Sequence, residues 1–191
     1  MCRRGVELGI DYRYAATAQA AGHGLSIGGQ TPGGLKRITA RNCTFDGTDA
    51  GIRMRANRGS GGLVEDLLYE NLTMKNVKVA VQITGYYPKV PADLPGDPAQ
   101  PANATTPIWR NIVIRNVTAV DCGEAGQLFG LAEQPIESVT FENVHIAARK
   151  AMRIMNANGI KFVNSTVSSA KTTAIETHDV KIDGADTSPM K

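Results

Sequence analysis

Apolar and polar residues alternate in short runs along this chain, and the runs recur as variants of one phrase: ITARNCTF at 38–45, LLYENLTM at 67–74, IVIRNVTA at 112–119, VTFENVHI at 139–146 and IKFVNSTV at 160–167. The two-residue period is that of a strand with one buried face, not the 3.6-residue period of a helix. An asparagine holds the same place in each copy, at 42, 71, 116, 143 and 164, so the spacings are 29, 45, 27 and 21 residues. Such recurrence marks a solenoid, whose units cannot bury an apolar face alone and stack on their neighbours. A second short strand follows each phrase, at 52–55, 79–84, 128–131, 152–155 and 174–176. The pattern predicts an all-β chain, a parallel β-helix of about six coils over residues 22–183.

One interval is too long, and a single insertion, Tyr86–Trp109, accounts for it. Its six prolines oppose both helix and interior strand, so a loop is predicted to leave the coil on one face and wall a cleft. The asparagines are predicted to stack as a hydrogen-bonded ladder at one corner of the coil. Asn42, Asn71, Asn116 and Asn164 also open Asn-x-Thr triplets, as does Asn103. The ladder accounts for the first four, leaving Asn103 in the proline-rich loop as the exposed acceptor. Residues 1–21 read as an N-terminal cap or a segment outside the repeat, with 12–22 alanine-rich enough for a short helix. Residues 184–191 read as a flexible tail.

Composition narrows the function classes. A net charge of +3, from 21 basic and 18 acidic residues, gives no case for nucleic-acid binding and is compatible with an anionic ligand. No apolar run approaches the roughly 20 residues that span a bilayer, so no membrane partner is predicted. Cys2, Cys43 and Cys122 have no metal-ligand spacing, and Cys43 and Cys122 read as small buried side chains. Of His23, His145 and His178, only His23 has a suggestive context. No metal is predicted.

That context is GHGLSIGG from Gly22, followed by GIRMRANRGSGG from Gly51. Gly22 and Gly24 permit a tight turn that presents His23. Alternation along 53–55 places Arg53 and Arg55 on one strand face and Met54 on the other, and paired guanidinium groups suit a carboxylate through forked hydrogen bonds. The glycines lack the spacing of a dinucleotide fingerprint, so no cofactor is predicted.

With these motifs the chain resembles the polygalacturonases of glycoside hydrolase family 28. Gly22-His23-Gly24 looks like the family's GHG motif, and Gly51-Ile52-Arg53-Met54-Arg55 looks like its RIK motif with Arg55 for lysine. Asn57-Arg58-Gly59 and Tyr69-Glu70-Asn71 extend the match, and Tyr86 or Tyr87 lies where the family has a substrate-binding tyrosine. The resemblance implies a right-handed parallel β-helix that binds galacturonan, the acidic polysaccharide of pectin, and hydrolyses its α-1,4 bonds with inversion. It assigns substrate binding to Arg53, Arg55, Tyr86 and Tyr87 and a catalytic part to His23. The family's catalytic aspartates lie in NTD and DD motifs ahead of GHG, and neither occurs here; Asp11 is the one aspartate before His23. The chain therefore resembles the C-terminal half of such an enzyme. Three functions follow: a hydrolase drawing carboxylates from Asp11, Asp46, Asp49 or a neighbouring chain, a sugar-binding protein without turnover, or a self-assembling scaffold. An open solenoid end further predicts a homo-oligomer.

Overall fold

The computed structural model describes residues 18–19, 22–92, 94, 96–170 and 173–184. Asp11, most of the 1–21 segment and the tail beyond Gly184 lie outside the described residues. Among the described residues there is no helix, and the strands are β1 (Ala18–Gln19), β2 (His23–Gly28), β3 (Leu35–Asp46), β4 (Ala50–Arg55), β5 (Leu63–Lys75), β6 (Val79–Thr84), β7 (Ile108–Phe129), β8 (Ile136–Val163), β9 (Thr166–Ser169) and β10 (Ile175–Asp183). Ala18 and Gln19, within the alanine-rich stretch, pair in parallel with Phe45 and Asp46 rather than forming helix.

Every pairing is parallel, and the chain winds as a right-handed parallel β-helix. One face stacks β2, β4, β6, the end of β7, the 150–155 part of β8 and β10, six rungs among the described residues. The other walls stack β3, β5, the start of β7, the start of β8 and β9. Inward positions form apolar columns through the coils. Cys43, Leu72, Val117 and Val144 make one, and Ala40, Tyr69, Ile114 and Phe141 another, which continues as the Phe141–Phe162 ring stack at 4.7 Å. Cys43 and Cys122 are free and buried, and burial pushes both thiols up.

The asparagine ladder forms. Asn71 Nδ2 donates to Asn42 Oδ1 (3.1 Å), Asn116 to Asn71 (3.1 Å) and Asn143 to Asn116 (2.9 Å). Each of these residues has positive φ, 59°, 56°, 52° and 54° in chain order. Asparagine tolerates that left-handed conformation better than other residues with a Cβ, so it supplies both the bend and the bond. The corner faces solvent: all four side chains are exposed, which corrects the expectation that Asn103 alone would be. Asn164 shares the positive φ (46°), and beside it Ser165 Oγ takes over the stacking contact by accepting from Val144 N at 2.9 Å.

Ladders of alternating charge also run across the coils. Glu65 on β5 pairs with Lys36 on β3 and, at 2.6 Å, with Arg110 on β7. Arg115 reaches Glu142 (2.9 Å) and Glu70 (3.5 Å). The insertion, described apart from residues 93 and 95, packs against the end of the first face, where Tyr86 and Leu94 join Phe129 and Leu131 in a second small core.

Candidate functional site

His23, Arg53 and Arg55 meet on the first face because β2 and β4 pair in register, with Ser26 opposite Arg53 and Gly28 opposite Arg55. The glycines of this region serve close packing. A Cβ on Gly24 would lie 2.6 Å from Gly51 O and 2.8 Å from the Phe45 ring, and one on Gly28 would lie 1.8 Å from Arg55 O. Gly22 O accepts from Asp49 N at 2.7 Å, which fixes the start of β2 and leaves His23 exposed. Met54 is fully buried while Arg53 and Arg55 point outward and are half-buried.

The arginines hold unused donors. Arg53 Nε donates to Gln82 Oε1 at 3.0 Å, but Arg53 Nη1 and Arg55 Nε are buried without a hydrogen-bond partner. The carboxylates that could neutralise them are engaged elsewhere: Glu65 with Lys36 and Arg110, Asp66 accepting from Asn111, and Asp49 in an ion pair with Lys78. Burial and the neighbouring Arg55 pull the Arg53 guanidinium below its usual range. Burial, then Arg53, lowers His23, so the imidazole stays neutral further into acid. Two crowded cations with spare N–H groups form a receptor for an anion.

The two tyrosines separate. Arg55 lies over the Tyr87 ring, 4.2 Å from its centroid, so Tyr87 adjoins the arginine pair. Tyr86 is 7% exposed and its hydroxyl donates to Asp97 Oδ2 at 3.0 Å. Arg58 completes this clamp. Its Nε and Nη2 reach Glu133 (2.6 and 3.1 Å), and Nη2 also reaches Asp97 (2.6 Å). Thr105 Oγ1 donates to Arg58 O, and Gln100 N donates to Glu133, so the second half of the proline-rich insertion is tied down beside Arg58. A cavity of about 250 Å³ opens there, lined by Asn57, Arg58, Gly59, Gly85, Tyr86, Tyr87 and Lys89.

Of the candidate acids, Asp46 accepts from Asn76 at 3.0 Å in a corner ladder. Asp49 is close enough to His23 for each to shift the other's titration, and its hydrogen bond and ion pair with Lys78 hold its carboxyl below the usual range. Asp11 lies outside the described residues. Tyr69 is a core side chain, 2% exposed. His145 contacts Thr166 and Asn143 on the ladder wall, away from the first face. No group of side chains among the described residues could hold a metal ion.

The motif reading missed a polar line beside Arg53. Gln82 Nε2 donates to Gln127 Oε1 (2.8 Å), Gln127 Nε2 to Glu124 (2.8 Å), and Arg153 Nε to Glu124 (2.9 Å). The repeat intervals held the signal, since Gln82 follows Arg53 by 29 residues and Gln127 follows Gln82 by 45, as in the asparagine ladder.

The profile of the Glycosyl hydrolases family 28 matches residues 13–169. The chain is 30% identical to an endo-polygalacturonase of Pectobacterium parmentieri over 137 residues, 72% of this chain and 31% of that protein. It is 29% identical to a probable polygalacturonase of Vitis vinifera over 127 residues, 65% of this chain and 25% of the relative. A polygalacturonase of Ralstonia solanacearum is 31% identical over 99 residues, 50% and 17% of the two chains. The chain thus spans less than a third of the length of these relatives. No solved structure matches it.

Proposed function

The chain belongs to the Glycosyl hydrolases family 28, and from that premise we propose that the first face of its β-helix binds galacturonan as part of a polygalacturonase that hydrolyses α-1,4-galacturonosyl bonds. The observation that carries this reading is the pair of buried, unpartnered donors, Arg53 Nη1 and Arg55 Nε, near a carboxylate, Asp49, that is already committed to Lys78. A uronate carboxylate supplies the missing acceptor and charge. Tyr87, stacked with Arg55, offers a ring edge and hydroxyl to the sugar. His23, whose pKa is lowered, can in its neutral form donate one hydrogen bond and accept another.

Inverting hydrolysis needs a protonated carboxyl on one side of the scissile bond and an ionised one on the other, roughly 6.5–9.5 Å apart. Asp49 suits the ionised role, because Lys78 stabilises its charge, and it is a poor proton donor for the same reason. A second reading, binding without turnover, is favoured by that restriction on Asp49. One experiment separates the two: galacturonate-oligomer binding and reducing-end release measured together for wild type, Arg53→Ala and His23→Ala. Losing a charge-assisted hydrogen bond costs about 1.5–3 kcal/mol, so Arg53→Ala should weaken binding roughly 10- to 100-fold. Release that falls in both variants supports hydrolysis, and binding without release supports the second reading. Binding that Arg53→Ala leaves intact refutes the site.

A further inference from the structure

The polar line beyond Arg53 leads to a second cavity that the motifs do not touch. Arg53, Gln82, Gln127, Arg153 and Glu176 occupy one register column of the first face, on β4, β6, β7, β8 and β10. The column ends at a cavity of about 270 Å³ lined by Lys150, Ala151, Arg153 and Glu176. Glu124 already accepts from Arg153 and Gln127, whereas Lys150 is exposed and has no ion-pair partner among the described residues.

Resting on the galacturonan reading, we propose that this cavity is a second uronate subsite on one polysaccharide track that runs along the solenoid axis from Arg53. Lys150 and Arg153 receive the sugar carboxylate, and Glu176 accepts from ring hydroxyls. Glu124 offsets the charge of Arg153, so Lys150 is the cation left to meet the single negative charge of a uronate, whose O–H donors suit Glu176. The floor between the sites fits the same ligand. Gln82 and Gln127 each spend one N–H and one oxygen lone pair on the line, and each keeps a second donor and a second lone pair for sugar hydroxyls. Arg53 and Arg153 stand three strand steps apart, roughly 14 Å at about 4.8 Å per step. A single sugar ring cannot touch both, so only an oligomer profits from the second subsite.

Calorimetric titration of digalacturonate and hexagalacturonate into wild type, Lys150→Ala, Glu176→Gln and Arg53→Ala tests this. Wild type should bind the hexamer more tightly than the dimer. Lys150→Ala, an exposed change whose fold is checked by circular dichroism, should weaken the hexamer roughly tenfold and leave the dimer unchanged. Glu176→Gln should give a smaller loss, again confined to the hexamer, and Arg53→Ala should weaken both ligands. A hexamer affinity that Lys150→Ala leaves intact, or one no better than the dimer's, overturns the second subsite while the Arg53 site stands. Failure of wild type to bind either ligand overturns both.

Discussion

Replacing Arg58 by alanine removes the anchor of the proline-rich insertion, and its cost follows from the contacts. The guanidinium makes three hydrogen bonds, two of them at 2.6 Å, to Glu133 and Asp97. The side chains are 23% (Arg58), 7% (Glu133) and 16% (Asp97) exposed. An exposed ion pair contributes about 0–1 kcal/mol, whereas stranding a buried charge costs about 3–5 kcal/mol. With Glu133 nearly enclosed and Asp97 retaining only the Tyr86 hydroxyl, the expected loss is about 3 kcal/mol. For a chain of this size that lowers Tm by roughly 6–12 °C. Arg58→Lys keeps the charge but not the fork, and should lose less.

The same clamp sets a pH dependence. Burial alone would raise the Glu133 carboxyl, but its bonds to Arg58 prevail and hold it below the usual range; Arg58 also lowers Asp97. Folded-state values below the unfolded ones mean that the stabilisation is complete above about pH 4–5, where the unfolded carboxyls are ionised, and is lost as pH falls through the folded values. Thermal unfolding of wild type and Arg58→Ala should therefore differ most near neutrality and converge towards pH 3. A loss under about 1 kcal/mol at pH 7 would refute the clamp. A difference undiminished at pH 3 would refute its ionic origin and shift the cost to packing of Arg58 over the Tyr86 ring, 5.5 Å away.

Asn71→Gly keeps the left-handed φ of 56° and removes only the two ladder bonds, so it should lose about 1 kcal/mol; Asn71→Ala adds about 1–2 kcal/mol of backbone strain, and equal urea midpoints would deny that φ matters. Gly51→Ala would set a Cβ 2.4 Å from Met74 Sδ and 2.7 Å from the Ala80 carbonyl oxygen, a clash worth about 1–3 kcal/mol by denaturant titration. Arg53→Gln removes a cation beside His23, and NMR titration should find the imidazole pKa raised but still below its ordinary value, because burial, the larger cause, persists.

The coil, the ladder and the arginine strand were legible because each rests on a strict local rule. Side-chain alternation sets which residue faces inward, so Arg53-Met54-Arg55 could be divided between two faces by inspection. Asparagine at a fixed place in five phrases announced a bend that few other residues accept. The exposure of that corner was not legible, since a ladder hydrogen-bonds equally well turned inward or outward. Nor was the separation of Tyr86 from Tyr87. Tyr86 is held where Arg58, Asp97 and Glu133 converge, and Glu133 lies 75 residues from Arg58, beyond the insertion that disrupts the repeat count.

The polar line shows how far interval reasoning reaches and where it fails. Adding the asparagine intervals to Arg53 gives 82 and then 127, the two glutamines observed, but the next interval of 27 gives Ile154, a core residue. The true partner of Gln127 is Arg153. Between Ala119 and Cys122 the register of β7 on β8 shifts by one residue, so Ala119 pairs with Ile146 but Cys122 with Ala148. In a structure of period two, a slip of one exchanges the inner and outer faces. The asparagine corner lies before the shift and keeps its count; the first face lies after it and loses one. Without the shift, Ile154 would face outward at the end of the line and Arg153 would be driven into the core. A single irregularity at a corner thus decides whether the charge of Arg153 reaches the proposed track, and no local pattern around residue 120 announces it.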